Sequence, residues 1–291
     1  MSRIRSGVLP YAIVAVLSIL PIGCSQRASE PLPPVLKIGI LPDESREKLI
    51  EQYEPLRKHL SESLGLPCEL IFPDSYDALV ETFGAGAVDL AYFGGLTFVK
   101  ARVAYDATPL VMRDVDTQFT SYFIVRADSK GMRIDDFEGQ ALAFGSRRST
   151  SGHLMPRHYL ISKDITPEIF FGAVQYSGAH DTTVEWVRDG TVDIGAVNAL
   201  IFRTMAADGR INRDIFRIVC ETRPYIDYVW AVQASMDDTG KKKLRDAFMA
   251  LSPSREEHEA ILQNLGANGF LPASAKSFID LEKIATALEL L

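Results

Sequence analysis

YDALVETFGAGAVDLAYF, residues 76–93, and HDTTVEWVRDGTVDIGAV, residues 180–197, align without a gap at a constant offset of 104 residues. Six of the 18 pairs are identical: Asp77/Asp181, Val80/Val184, Glu81/Glu185, Gly86/Gly190, Val88/Val192 and Asp89/Asp193. Each copy reads as a helix, a glycine stop and then a short apolar strand. A recurrence this distant is not a solenoid repeat. Two generic helix–strand units can share glycine and valine by chance, but the matching acids favour two similar α/β lobes in one chain.

The rest of the chain fits that reading. Leu36–Ile40, Leu70–Phe72, Val88–Phe93, Ala141–Phe144, Ile194–Val197, Phe216–Val219 and Val229–Val232 are apolar runs of buried-strand length. Leu49, Tyr53, Leu56, Leu60 and Leu64 recur at three- and four-residue spacing, one face of a helix that Gly65 should end. Strand–helix alternation of this kind indicates an α/β protein. We expect lobe one to hold residues 36–120 and 223–291, and lobe two to be the insert 121–222. Ligands of open α/β sheets bind beyond the carboxyl ends of the strands, so the two lobes should face each other across a cleft. The repeat then puts Tyr76 and His180 at equivalent helix starts, pointing into the cleft from opposite sides.

The amino terminus speaks to the compartment. Arg3 and Arg5 precede a stretch from Gly7 to Ile22 without charge, the shape of a secretory signal over residues 1–23. A membrane-spanning helix would need about 20 apolar residues, and Pro10 and Pro21 bracket the run. Gly23-Cys24 resembles the processing box of bacterial lipoproteins, with Pro21 as a departure, so Cys24 is expected to carry lipid. Residues 24–35 would be its tether, proline-rich and polar. Loss of residues 1–23 removes two arginines and no acid, taking the formal charge from −7 to −9. That balance argues against nucleic acid as partner. Cys68 and Cys220 could pair in an oxidising compartment, or could be buried small apolar residues. There is no CxxC and no His/Cys cluster with metal-ligand spacing, so neither metal nor cofactor is expected.

The most specific local signal is Gly145-Ser146-Arg147-Arg148-Ser149-Thr150-Ser151-Gly152, between a strand and a helical run. A helix start offers unpaired N–H groups and the positive end of the dipole, where an anion fits. Ser149, Thr150 and Ser151 would add three neutral donors, although a Ser/Thr run there is also an ordinary helix cap. His180 can donate to an oxyanion near neutral pH, or be structural. Asp227, between Ile226 and Tyr228, reads either as a turn residue or as an acceptor for a protonated ligand oxygen. Arg147 and Arg148 could reach an anion, but adjacent arginines are commonly solvated.

Over residues 36–235 the chain resembles the phosphonate/phosphite-binding proteins of ABC transporters. The carriers are IGILPDE, YEPLRKHLSESLG, GAVDLAYFGGLTFVKA, STSGHLMPRHYL, GAHDTTVEWVRDGTVDIGAV and FRIVCETRPYIDY. The resemblance implies a type II periplasmic binding-protein fold, two lobes each with a mixed sheet flanked by helices, and a ligand cleft between them. It implies that Ser149, Thr150 and Ser151 grip phosphorus-bound oxygens while Tyr76, His180 and Asp227 complete the shell. It also implies a monomer, extracytoplasmic and held at a membrane, that captures phosphite, a phosphonate or phosphate and hands it to the permease of an ABC importer. Many relatives have proline at Gly95 and tyrosine at Phe98. Asn198 stands near the acid that aminophosphonate binders use for the ammonium group, which favours a ligand without an amine. A sensor for the same oxyanions, signalling to a separate partner, is the alternative. No nucleophile–base pair, metal set or dinucleotide glycine loop supports an enzyme.

Overall fold

The computed structural model describes residues 31–291. The expected signal sequence, residues 1–23, and Cys24 lie outside them. The chain begins β1 (Leu36–Ile40), α1 (Arg46–Leu64), β2 (Cys68–Ile71), α2 (Tyr76–Gly84), β3 (Leu90–Phe93), α3 (Gly95–Tyr105) and β4 (Thr108–Arg113). It continues β5 (Ser121–Arg126), β6 (Ala141–Phe144), α4 (Met155–Ile161), α5 (Pro167–Phe170), β7 (Ala173–Tyr176), α6 (His180–Arg188), β8 (Ile194–Asn198), α7 (Ala199–Ala207) and β9 (Phe216–Glu221). It ends β10 (Val229–Val232), α8 (Asp238–Met249), α9 (Glu256–Asn264), β11 (Phe270–Pro272) and α10 (Ile279–Ala287).

Two sheets result. One has the order β11-β4-β10-β3-β1-β2, the other β7-β6-β8-β5-β9. Apart from the edge strand β11 they match strand for strand. In each, a parallel trio, β2-β1-β3 or β7-β6-β8, is followed by an antiparallel strand, β10 or β5. The central strands β3 and β10 are buried along their whole length, as is β8, which is why they read as unbroken apolar runs. In the second sheet the faces alternate. Ile124, Ala143 and Val197 pack with Val184, Val187 and Phe202, while Phe123, Leu142, Phe144 and Ala196 pack with Phe137 and Leu160. Reading apolar runs alone misses β4, β5, β7 and β11. Pro109 interrupts β4 and β7 is only half-buried, but β5 is as apolar as the runs that were read.

The repeated segments fall in different sheets and use their shared residues alike. Gly86 and Gly190 both sit at φ +72°, a left-handed backbone that favours glycine. Asp89 Oδ2 accepts the N–H of Lys37 at 2.8 Å, and Asp193 Oδ2 accepts that of Ala141 at 2.8 Å. The matched acids therefore tie β3 and β8 to the neighbouring strands β1 and β6. Helix α1 buries Leu49, Tyr53, Leu56 and Leu60 and ends at Gly65, which adopts φ +66°.

The chain passes between the sheets twice, and the two passages pair. Phe119 and Tyr225 exchange backbone hydrogen bonds of 2.8 and 2.9 Å, Thr222 N–H donates to Ser121 O at 3.0 Å, and Asp227 N–H to Asp116 O at 3.0 Å. The disulfide alternative is not realised: Cys68 on β2 and Cys220 on β9 are both free thiols in separate sheets. Among the described residues no helix is long and apolar enough to cross a membrane.

Candidate ligand-binding site

The loops after the parallel strands converge between the sheets. From β6 the chain enters a loop closed by Gly145 N–H donating to Gly152 O at 2.9 Å. Ser149 accepts the N–H of Gly152 on its hydroxyl at 2.9 Å, the helix-capping bond expected of a serine there. Beyond Ser149 the chain departs from the ordinary helix start expected of this sequence. Residues Thr150–Leu154 form a wide π turn, with Leu154 N–H reaching Ser149 O at 3.0 Å, before α4 begins. Single π turns inside helices recur at functional sites. His153 is held out of the cleft by its bond to Arg147 O at 2.8 Å.

His180 opens α6 and is fully buried. Its Nδ1 accepts the backbone N–H of Asn198 at 3.2 Å, so the ring proton sits on Nε2. That nitrogen lies 3.5 Å from both the Ser149 and Ser151 hydroxyls. Burial pushes the imidazole pKa down to about 3, and a protonated ring would set two donors against each other at Nδ1. His180 is therefore a neutral donor with a fixed tautomer. Thr150 faces the other lobe, where its Oγ1 accepts the N–H of Leu96 at 2.9 Å.

Asp227 reaches the same place from the second passage between sheets. Its Oδ1 accepts the N–H of Gly95 at 2.9 Å, while its Oδ2 is buried without a partner. Burial pushes its pKa up to about 7, against the opposing pull of the Gly95 N–H and the nearby Thr150 and Ser151 hydroxyls. Tyr76 opens α2, is buried, and its hydroxyl also has no partner; burial holds that phenol well above its ordinary pKa. Thus Ser149, Ser151 and His180 adjoin one another, and Thr150 and Asp227 bind successive amides at the start of α3. The Tyr76 hydroxyl stands near that of Ser149, which opposes the rise of its pKa, but makes no hydrogen bond of ordinary geometry to any of them.

The arginines of the loop do not join this group. Arg147 stacks on the Tyr176 ring at 3.8 Å, and Arg148 pairs with Asp77 at 2.9 Å and donates to Leu290 O. The six candidate residues include no fixed cation, so they can hold an anion only through oriented neutral dipoles and, when protonated, Asp227. Asn198 is committed as well: its carbonyl caps α7 at Ile201 N–H, and its amide donates to Tyr228 OH at 2.9 Å. Tyr228 donates in turn to Asp43 Oδ2 at 2.9 Å. The motifs in the sequence did not single out Asp43 or Tyr228. Both lie inside segments that carry the resemblance, Asp43 in IGILPDE and Tyr228 at the end of FRIVCETRPYIDY, but neither reads as a site residue.

A family model for the periplasmic phosphonate substrate-binding proteins of ABC transporters matches residues 38–278. The chain belongs to this family. It is 30% identical over 268 residues to a Prochlorococcus marinus protein named "Probable ABC transporter phosphite binding protein PhnD1", covering 88% of this chain and 90% of that one. Identity to the phosphate-import protein PhnD of Mycolicibacterium smegmatis is 28% over 253 residues, or 80% and 79% of the two chains. The structure of P. marinus PhnD1 in complex with methylphosphonate superposes with a TM-score of 0.85 at 28% identity, covering 89% of this chain and 100% of that one. The fold is therefore that of the type II periplasmic binding proteins, and the chain is the extracytoplasmic substrate-binding part of an ABC transporter, not an enzyme.

Gly95 and Phe98, expected from the sequence to depart from the resemblance, have definite local roles. A proline at 95 would lack the N–H that Gly95 gives Asp227. Phe98 is fully buried against Phe278 at 4.8 Å, so it packs into the core.

Proposed function

We propose that this protein captures a small, amine-free phosphorus oxyanion, whether phosphite, a small phosphonate or phosphate, and presents it to the permease of an ABC importer. The observation that carries the reading is the meeting of spare polar groups in a buried place. The Nε2–H of His180 and the Ser149 and Ser151 hydroxyls face inward from one lobe, and the unpartnered Tyr76 hydroxyl and Asp227 Oδ2 are buried at the same cleft. A buried polar group without a partner costs about 1–3 kcal/mol, and an oxyanion supplies what each of these lacks. With its pKa pushed up to about 7, Asp227 can share one proton with the ligand: it donates when protonated and accepts from a singly protonated oxyanion when ionised. Asn198, engaged at both ends of its amide, supports a ligand without an ammonium group.

The relatives' names support the ligand class: one is a phosphite-binding protein, another imports phosphate, and a solved structure holds methylphosphonate. Titration calorimetry with phosphite, methylphosphonate, phosphate and sulfate tests the reading. We expect at least one phosphorus oxyanion to bind and, above pH 8 where Asp227 is ionised, sulfate, which brings no proton, to bind far more weakly. Equal affinity for sulfate would sink it. Attachment to the membrane through lipid on Cys24 and the 24–35 tether completes the proposal, together with action as a monomer. Cys24→Ala should move the protein to the soluble fraction on cell fractionation, and an unchanged distribution would refute lipidation.

A further inference from the structure

The loop after β1 is bound by lobe two and by Tyr228 at three successive residues. His180, the first residue of α6, donates its backbone N–H to Asp43 O at 3.0 Å. Ser45, which precedes α1, donates its own N–H to Asp181 Oδ2 at 2.8 Å. Between them Glu44 pairs with Arg210 at 2.5 Å. Helix starts leave backbone donors unsatisfied, and here α1 and α6 satisfy one another's across the cleft. The carboxyl group of Asp43 adds a second line. It accepts from Tyr228, which accepts from the Asn198 side chain, while the Asn198 backbone N–H fixes His180 Nδ1. Asp43 therefore holds both the backbone of His180 and, through two side chains, the residue that orients its ring. It is 5% exposed, and its other neighbours, Tyr228 and Arg113, are engaged. Arg113 is ion-paired with Asp116 at 2.6 Å and stands over the Tyr228 ring.

We propose that Asp43 is a positioning residue: without touching the ligand, its carboxyl group holds the Tyr228 hydroxyl where it receives the Asn198 amide from the other lobe, so that the lobe carrying His180 stays closed over the bound oxyanion. The clasp rests on the oxyanion reading of the site. The Asn198–Tyr228 bond that it steadies forms only when the lobes meet, so it slows ligand escape and leaves ligand entry alone, which separates it from a general packing role.

The test uses purified wild type, Asp43→Ala, Asp43→Asn and Tyr228→Phe. Calorimetry and stopped-flow fluorescence are run with phosphite, methylphosphonate and phosphate as probes. Asp43→Ala should raise the dissociation rate by about tenfold or more, the scale of one hydrogen bond to a charged group, with the association rate unchanged. Asp43→Asn should restore slow release to within about threefold, because its amide oxygen still accepts from Tyr228. Tyr228→Phe keeps the ring but loses the inter-lobe bond itself and should cost at least as much as Asp43→Ala; the double variant should be no worse than Tyr228→Phe. Should Asp43→Ala fail to fold, Tyr228→Phe against wild type carries the same comparison. An unchanged dissociation rate in both variants overturns the proposal, as does a loss confined to association or a failure of asparagine to restore. Wild type that binds none of the three probes overturns the oxyanion reading and the clasp with it, whereas a binding wild type with unaltered variants overturns the clasp alone.

Discussion

Helices α2 and α6 begin the two copies of one repeat and do different work. Helix α6 opens with His180, a neutral donor whose tautomer is set by a backbone amide, beside the hydroxyls of Ser149 and Ser151. Helix α2 opens with Tyr76, whose hydroxyl is unpartnered, and the lobe around it offers no comparable row of donors. Their second residues are used alike: Asp77 pairs with Arg148 of the other lobe, and Asp181 accepts from Ser45 of the other lobe. The repeat has kept the contacts that join the lobes and diverged where a ligand would sit. The lesson is one of labour divided: one lobe carries a row of donors, while the passage between lobes brings a carboxyl group that, on the proposed reading, discriminates by proton.

The largest expected effect tests the row of donors. A Cβ on Gly152 would lie 2.8 Å from His180 Cε1 and 3.1 Å from the backbone of Gly145. Gly152→Ala should weaken phosphite binding by on the order of a hundredfold, since rigid overpacking costs about 1–3 kcal/mol. On the other lobe the tightest contact of a Cβ on Gly95 is 2.9 Å, to the flexible end of Leu281. Gly95→Ala should therefore cost less than about tenfold. Equal losses in the two variants, measured by calorimetry, would erase the asymmetry.

Ser151→Ala removes a hydroxyl that caps nothing, and should cost about 1.5–3 kcal/mol of binding, the worth of a hydrogen bond to a charged group. Unchanged affinity would place the ligand elsewhere. Asp227→Asn probes the carboxyl side. Its pKa is pushed up to about 7 by burial, so below pH 7 the site holds the proton an anion needs. Above pH 7 that proton must be taken up on binding, and affinity should fall about tenfold per pH unit. Asparagine keeps a neutral donor and should flatten this decline, shifting preference toward the doubly charged form of whichever oxyanion binds. Parallel pH profiles for wild type and variant would reduce Asp227 to a loop residue.

The smallest effect has two signs. Tyr76→Phe removes a buried hydroxyl that lies near Ser149 without a hydrogen bond of ordinary geometry, which should leave the ligand-free protein as stable or more stable by up to about 1 kcal/mol while weakening oxyanion binding. A melting temperature that falls in the ligand-free variant would contradict the geometry at α2.

What the sequence discloses divides along the same line. The row of donors is legible because Ser149–Ser151 and the helix after them are contiguous, and because the repeat points to His180. The fold is legible because β3, β8 and β10, buried on both faces, leave apolar runs that no loop would carry. The relay from Asp43 is not legible, since Tyr228 lies 185 residues away in the chain and no local pattern marks an aspartate that will be buried. The π turn is equally hidden: its residues satisfy the rules for an ordinary helix start, and only the packing of the Gly145–Gly152 loop chooses the wider geometry.

The paired passages at Phe119 and Tyr225 carry a mechanical consequence. Two chains hydrogen-bonded side by side can bend together, but cannot slide past one another without breaking those bonds. Any opening of the cleft is thereby channelled into a rotation about this ribbon. Displacement in a rotation grows with distance from the axis, and Asp227 sits on the ribbon itself through its bond to Asp116. His180 would sweep through an arc while Asp227, and Ser151 held by Ser121 of the ribbon, barely travel. If Asp227 weighs the proton on an incoming oxyanion as proposed, it would thus stand ready before His180 arrives, and a solute that fails there would leave without the lobes having moved.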